Sequence, residues 1–81
     1  MELQQLRLFL AAAELESFTR GAKRAFVSQP ALSASISKLE AEMGVKLFTR
    51  NKRNVVLTPA GRVLLKRATR IVEECAKAKD E

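Results

Sequence analysis

The residues with the clearest chemistry lie at positions 28–38, where polar and small side chains interrupt an apolar pattern. Gln29 offers an amide acceptor and donors that match the edge of adenine, and Ser33 can donate to a base or a phosphate. The ring of Pro30 or the methyl group of Ala31 could touch a thymine methyl. Taken singly, each has a plainer interpretation as a helix cap, a helix start or a solvated side chain. The predicted DNA contacts of this segment are Ser28, Gln29, Pro30, Ala31, Ser33, Ala34, Ser37 and Lys38.

A second set of candidate contacts is cationic. Residues 1–45 carry five basic and five acidic groups, whereas residues 46–81 carry ten basic and four acidic groups, so the whole net charge of +6 arises in the second part. No acid occurs between positions 46 and 54. A run of one sign favours contact of Arg53 and its neighbours with phosphates or the minor groove, although basic loops also occur on proteins that bind no polyanion. The cations of this run are Lys46, Arg50, Lys52 and Arg53.

Enzyme chemistry is not favoured by the sequence. The chain has no histidine, no glycine-rich phosphate loop and no metal-ligand spacing, so we expect no catalysis, metal or cofactor. Its single cysteine, Cys75, cannot form an internal disulfide, and no apolar run approaches the roughly 20 residues that span a bilayer. We therefore expect a cytoplasmic protein without a membrane contact. Cys75 is expected to be a small apolar residue in a helix seam instead of a redox sensor.

Apolar residues at helical spacing predict three helices before position 45. The first covers residues 3–15, and its second apolar line at Leu8, Ala12 and Leu15 indicates contact with another element or another subunit, or simple burial. The second is capped by Ser17 and runs to about residue 25, and the third is capped by Ser28 and ends near residue 44. The residues predicted to face inward are Phe18, Ala22, Ala25 and Phe26 on the second helix and Leu32, Ile36, Leu39 and Met43 on the third.

Two short β-prone runs follow, at residues 47–49 and 55–57, and predict a hairpin. Thr58 followed by Pro59 then predicts the start of a fourth helix of about 20 residues. Its outer side carries a basic ridge at Arg62, Lys66 and Arg70. Because this helix extends past a small domain, we expect its apolar seam to meet a second copy of the chain. The predicted dimerisation residues are Leu64, Ala68, Ile71, Val72 and Cys75.

This order of elements is typical of a mainly α fold, the winged helix-turn-helix. A short second helix joined tightly to the third can brace it against DNA, so that the third helix enters a major groove about 12 Å wide. The hairpin is the two-stranded β-wing, and the fourth helix is a long linker. We assign residues 1–58 to the winged domain and residues 59–81 to the linker or dimerisation helix.

Several segments in fixed order also resemble a known family, the LysR-type transcriptional regulators, over nearly the whole chain. They are residues 3–9 (Leu-Gln-Gln-Leu-Arg-Leu-Phe), 17–19 (Ser-Phe-Thr), 27–33 (Val-Ser-Gln-Pro-Ala-Leu-Ser), 36–40 (Ile-Ser-Lys-Leu-Glu), 47–50 (Leu-Phe-Thr-Arg) and 57–61 (Leu-Thr-Pro-Ala-Gly). The resemblance implies a prokaryotic regulator that binds an inverted-repeat operator as a dimer through the linker helix. It also implies a longer parent chain, possible tetramers, and an effector-binding domain for a small molecule that is absent from these 81 residues.

Carried over by position, the resemblance implies base and backbone contacts by Gln29, Pro30 and Ser33. It implies a wing contact by Arg50 and a minor-groove or phosphate contact by Arg53. Two departures weaken the usual phosphate contacts of the third helix: Ala34 stands where many members have arginine, and Ser37 replaces a residue that is commonly basic. We therefore expect the wing and Lys38 to carry more of the electrostatic attraction. The remaining alternative is a basic protein-interaction module without sequence-specific DNA binding.

Overall fold

Four helices and a two-stranded sheet form the computed structural model, which describes residues 1–50 and 55–80. The elements are α1 (Leu3–Leu15), α2 (Phe18–Ala25), α3 (Gln29–Met43), β1 (Phe48–Arg50), β2 (Val55–Leu57) and α4 (Pro59–Asp80). The strands are antiparallel, with Phe48 opposite Leu57 and Arg50 opposite Val55. The predicted winged helix-turn-helix with a long fourth helix is confirmed. The first strand begins one residue later than the sequence pattern indicated.

Hydroxyl caps start three of the helices, as predicted. Ser17 Oγ accepts a hydrogen bond from the Arg20 amide at 3.1 Å, and Ser28 Oγ accepts one from the Ala31 amide at 3.2 Å. Thr58 Oγ1 accepts from the Gly61 amide at 3.0 Å. Each cap satisfies an amide that has no partner within its helix, and such caps typically contribute about 1 kcal/mol.

The core surrounds α1, which packs against α2, α3 and α4. Leu8 and Ala12, which belong to its second apolar line, are buried inside the same chain, so simple burial accounts for them without a second subunit. The approach of α2 is close, since a Cβ at Gly21 would lie 2.8 Å from the Ala12 Cα. The largest fully buried side chains are Phe9, Leu32, Ile36, Leu39 and Leu47. Leu64 and Ala68 of α4 complete the core, which therefore crosses the division at residue 58.

A buried carboxylate joins α3 to the wing. Glu40 is 5% exposed, and its Oε2 accepts hydrogen bonds from the backbone amides of Leu47 at 2.8 Å and Phe48 at 3.4 Å. Thr58 completes the junction, because its amide donates to the Leu47 carbonyl at 3.0 Å and its hydroxyl to the Lys46 carbonyl at 2.7 Å. These contacts fix where the wing leaves the helical body.

Gly61 brings the start of α4 against the same backbone. A Cβ at this position would collide with the carbonyl oxygen of Leu47. Only glycine therefore permits this approach without displacing one of the two segments.

Two residues predicted to face the core are exposed instead. Phe26 is 94% exposed because α2 ends there in the left-handed conformation, with φ of 59°, and the chain turns away from the helical path. Helical periodicity no longer decides where its side chain points. Met43 is 37% exposed because it lies one turn beyond Leu39, at the last residue of α3. The buried stripe of α3 therefore ends at Leu39 and Glu40.

Replacing Glu40 by glutamine tests the junction between α3 and the wing. The amide keeps the size of the carboxylate but loses the charge that strengthens its two backbone hydrogen bonds. We expect Glu40→Gln to lower the free energy of unfolding by about 1–3 kcal/mol in urea denaturation. Glu73→Gln, a matched change on the exposed side of α4, should leave it unchanged. Equal values for the two variants would contradict the role given to Glu40.

Replacing Phe26 by asparagine tests whether residue 26 is exposed and left-handed at the end of α2. The left-handed conformation is unfavourable for phenylalanine by roughly 1–2 kcal/mol, and asparagine tolerates it better. We expect Phe26→Asn to raise the free energy of unfolding by up to about 1 kcal/mol. A loss of about 3 kcal/mol or more in thermal or urea denaturation, as for truncating a core phenylalanine, would show that Phe26 is buried.

Candidate nucleic-acid interface

The outer face of α3 carries the residues predicted to contact bases. A row at helical spacing, formed by Pro30, Ala34, Ser37 and Ala41, lies opposite the buried stripe and is exposed. Ala31 and Lys38 are exposed beside this row, Ser28 and Gln29 are exposed at the start of the helix, and Ser33 is half-buried. The structure therefore brings all eight predicted residues of this segment to one helix and leaves most of them open. Small side chains along the row allow a close approach to a flat or grooved surface.

A hydrogen bond from α2 holds the first side chain of α3. The hydroxyl of Thr19 donates to Oε1 of Gln29 at 3.1 Å, and both residues are exposed. Sequence reasoning gave Thr19 no role, because the contact joins residues ten positions apart on two helices. The sequence offered one indication of this contact, a hydroxyl side chain in the first turn of α2, the helix that comes before α3.

Arg50, the predicted wing contact, is held by an aromatic ring. Its guanidinium carbon lies 4.6 Å from the centre of the Phe18 ring, a distance typical of a cation–π contact. Phe18 packs edge-on against Phe48 at 5.3 Å, and Phe48 packs against Phe9 at 5.4 Å. The cation is therefore positioned by rings of the core. The wing was predicted to contact DNA through two further cations, Lys52 and Arg53. Both lie outside the described residues.

The wing and α3 line a shared groove. It has a volume of about 410 Å³, and its lining residues are Ser37, Glu40, Lys46, Phe48, Thr49 and Arg50. Lys46 is highly exposed, but its Nζ lies 3.9 Å from Oε1 of Glu40. The charge of Lys46 is therefore partly balanced by a carboxylate of the same chain. Arg50, by contrast, lies against the aromatic ring of Phe18.

The acids of α3 are already paired. Glu40 accepts the backbone hydrogen bonds of the wing, as described above. Glu42 lies 2.6 Å from the Met1 ammonium and accepts a hydrogen bond from Gln5 at 3.4 Å. The Met1 ammonium, followed by the Gln5 amide, holds the pKa of Glu42 below its ordinary value. The pairing of both acids within the chain reduces the repulsion that α3 would exert on a polyanion.

The ridge on α4 is exposed as the sequence indicated. Arg62, Lys66 and Arg70 lie on the side of the helix opposite Leu64 and Ala68. The guanidinium of Arg62 also donates to the Leu57 carbonyl at 3.3 Å, which ties the first turn of α4 to the end of β2.

The predicted dimerisation seam needs a correction. Leu64 is 6% exposed and Ala68 is fully buried, because α1 packs across the first half of α4. These two side chains belong to the core of this chain and have no surface left for a second copy. Ile71 is 47% exposed, and Val72 and Cys75 are half-buried. We therefore restrict the seam to these three residues.

The described residues provide neither a metal cluster nor a membrane span. Within residues 1–50 and 55–80, no three histidine, cysteine, aspartate or glutamate side chains come close enough to hold a metal ion. None of the helices in those ranges combines the length and apolarity needed to cross a bilayer.

Three helices, a tight turn before the third and a two-stranded wing define a winged helix-turn-helix domain. Residues 3–62 match the sequence model of the family described as "Bacterial regulatory helix-turn-helix protein, lysR family". The chain belongs to this family, and the resemblance seen in the sequence is confirmed.

Curated relatives are regulators. The chain is 47% identical over 79 residues to the Hca operon transcriptional activator HcaR of Escherichia coli (strain K12), covering 98% of this chain and 27% of that protein. It is 46% identical over 71 residues to the HTH-type transcriptional regulator XapR of the same organism, covering 88% of this chain and 24% of that protein. The chain thus spans about a quarter of the length of these relatives.

Solved structures of similar chains include DNA complexes. The CbnR_DBD–DNA complex matches with a TM-score of 0.95 and 41% identity, covering 99% of this chain and 92% of that one. The BenM_DBD/catB site 1 DNA complex matches with a TM-score of 0.95 and 36% identity, covering 99% of this chain and 89% of that one. The likeness therefore extends over the winged domain and the long helix together.

Proposed function

We propose that this chain is the sequence-specific DNA-binding part of a bacterial transcriptional regulator, with α3 in the major groove and the wing on phosphates or the minor groove. One observation carries the proposal. The first turn of α2 contacts both the wing cation, through Phe18 and Arg50, and the first residue of α3, through Thr19 and Gln29. A base-reading side chain and a phosphate-binding side chain are thereby held beside the same turn.

The chemistry of α3 suits base reading. Gln29 has both donors and an acceptor for a base edge, while Pro30 and Ala31 are apolar and exposed where a thymine methyl could contact them. Ala34 adds no bulk that would keep the helix out of the groove. The face carries one cation, Lys38, so it contributes more to specificity than to attraction.

Attraction is assigned to the wing, to Lys38 and to the ridge of Arg62, Lys66 and Arg70. Arg50 carries its charge beside the positive N-terminal end of the α2 dipole, so both favour a phosphate at the same place. Lys52 and Arg53 remain predicted contacts from the sequence. The DNA complexes of the CbnR and BenM domains, together with 99% coverage of this chain, support the assignment.

The protein is also proposed to act as a homodimer on an inverted repeat. The second half of α4 presents Ile71 and Cys75 at helical spacing, and Val72 beside them packs against the edge of the core, so the three form one apolar strip. Two copies joined through such a strip would present two reading helices with two-fold symmetry. Because the relatives are about four times longer, we place a small-molecule effector domain, and any tetramer contacts, in a longer parent protein of the cytoplasm.

DNA binding is tested by selecting sequences from a random duplex pool and then measuring affinity by fluorescence anisotropy across salt concentrations. We expect an inverted repeat, and a linear fall of log affinity with log salt. Arg50→Ala should weaken binding to selected and random duplexes alike and reduce the salt slope by about one. Gln29→Ala should weaken binding to the selected duplex by about 10-fold to 100-fold and spare the random one.

Lys79→Ala is the matched control for Arg50→Ala, since Lys79 is an exposed cation near the far end of α4. It should change neither the affinity nor the slope. Equal affinity of the wild type for selected and random duplexes, or affinity independent of salt, would favour the rival protein-interaction module.

The dimer is tested by placing a charge on the proposed strip. Ile71→Lys would bury an unpaired ammonium in the interface, so we expect sedimentation equilibrium to show a shift from dimer to monomer. Glu73→Lys, at an exposed position on the side of the helix away from the strip, should leave the association unchanged. The same measurement with and without reductant separates packing by Cys75 from disulfide formation. A dimer of unchanged strength in Ile71→Lys would contradict the proposed strip.

A further inference from the structure

We propose that Thr19 is a positioning residue that sets which edge of the Gln29 amide faces a base, and that this selects a purine with an acceptor at N7. The inference rests on the proposed function, since it assigns a specificity role within the same surface. Thr19 is not among the residues that sequence reasoning placed at the interface. It acts through Gln29.

The geometry between the two residues is fixed by the backbone. Thr19 lies in the first turn of α2, and Gln29 is the first residue of α3. The Val27 amide, which donates to the Ala22 carbonyl at 3.0 Å, closes the tight turn between the two helices, and α2 is pressed against α1 at Gly21. The hydroxyl of Thr19 therefore meets the Gln29 side chain without either helix having to move.

The hydrogen bond also decides the orientation of the amide. Because the Thr19 hydroxyl donates to Oε1 at 3.1 Å, the Nε2 group with its two N–H donors is turned away from Thr19. Oε1 keeps a second lone pair. A glutamine held in this way can donate to the N7 acceptor of adenine or guanine, and it can still accept from the N6 amino group of adenine.

Without the hydroxyl, the amide would be free to rotate. A free glutamine could present Oε1 to the N4 amino group of cytosine as readily as Nε2 to a purine. Fixing its rotamers in advance also removes part of the entropy that would otherwise be lost on binding. The hydroxyl is therefore expected to improve discrimination between base pairs, with little effect on contacts to the backbone of DNA.

A competing role is direct contact of Thr19 with a phosphate, since α2 crosses the backbone in helix-turn-helix domains. The two roles make different predictions. A phosphate contact strengthens binding to every sequence by the same factor. A positioning role changes the ratio between sequences, and it disappears when Gln29 is removed.

The experiment measures affinities of the 81-residue chain for the selected duplex and for the three base-pair substitutions at the position where Gln29→Ala abolishes discrimination. Thr19→Val removes the hydroxyl and keeps the shape of the side chain, and Thr19→Ser keeps the hydroxyl. We expect Thr19→Val to reduce the purine preference about fivefold, the factor that corresponds to one typical hydrogen bond, and Thr19→Ser to stay within about twofold of wild type.

Three further measurements support or overturn the assignment. Affinity for random duplex and the thermal midpoint should be unchanged in Thr19→Val, and Thr19→Val should have no added effect in a Gln29→Ala background. Three outcomes would overturn the positioning role while leaving the proposed function intact. They are equal weakening of Thr19→Val on all duplexes, a full effect of Thr19→Val in the Gln29→Ala background, and undiminished base-pair discrimination in Thr19→Val. A wild-type chain that shows no base-pair preference at all would overturn the proposed function and this inference with it.

Discussion

The buried carboxylate of Glu40 sets the arrangement on which the other contacts depend. It holds the backbone amides of Leu47 and Phe48, so the first wing strand starts at a fixed distance from the end of α3. From there, Phe48 reaches the rings of Phe9 and Phe18, and Phe18 supports Arg50. One acid in the interior therefore determines where a cation on the surface lies.

This arrangement separates two tasks that a DNA-binding surface must perform. The face of α3 is small and nearly neutral, which suits close approach and hydrogen bonding, and its two acids are paired within the chain. Ten of the 15 basic residues lie at positions 46–81 instead. Long-range attraction falls with salt, whereas base-edge contacts depend on geometry, so the two contributions respond differently to conditions and to substitution.

Local chemistry explains what could be predicted from the sequence. Caps, glycine and proline positions and apolar spacing depend on neighbouring residues, and they located all four helices, the wing and the face of α3. Contacts between elements could not be predicted from local sequence. Examples are the hydrogen bond from Thr19 to Gln29 and the bonds of the buried Glu40 to the backbone of the wing. Helical periodicity also predicted a buried Phe26, although α2 has ended at that residue. At Leu64 and Ala68 it could not distinguish packing against α1 from packing against a second chain.

Gly61 has a mechanical consequence. No side chain separates α4 from the Leu47 carbonyl, and Thr58 is bonded to the carbonyls of Lys46 and Leu47, so the start of the helix is packed directly on the backbone that leads into the wing. The helix has 22 residues and is about 33 Å long, and its first half is also fixed to the core by Leu64 and Ala68. The direction in which the second half of α4 leaves the domain is therefore fixed relative to the wing and, through Glu40, relative to the reading helix.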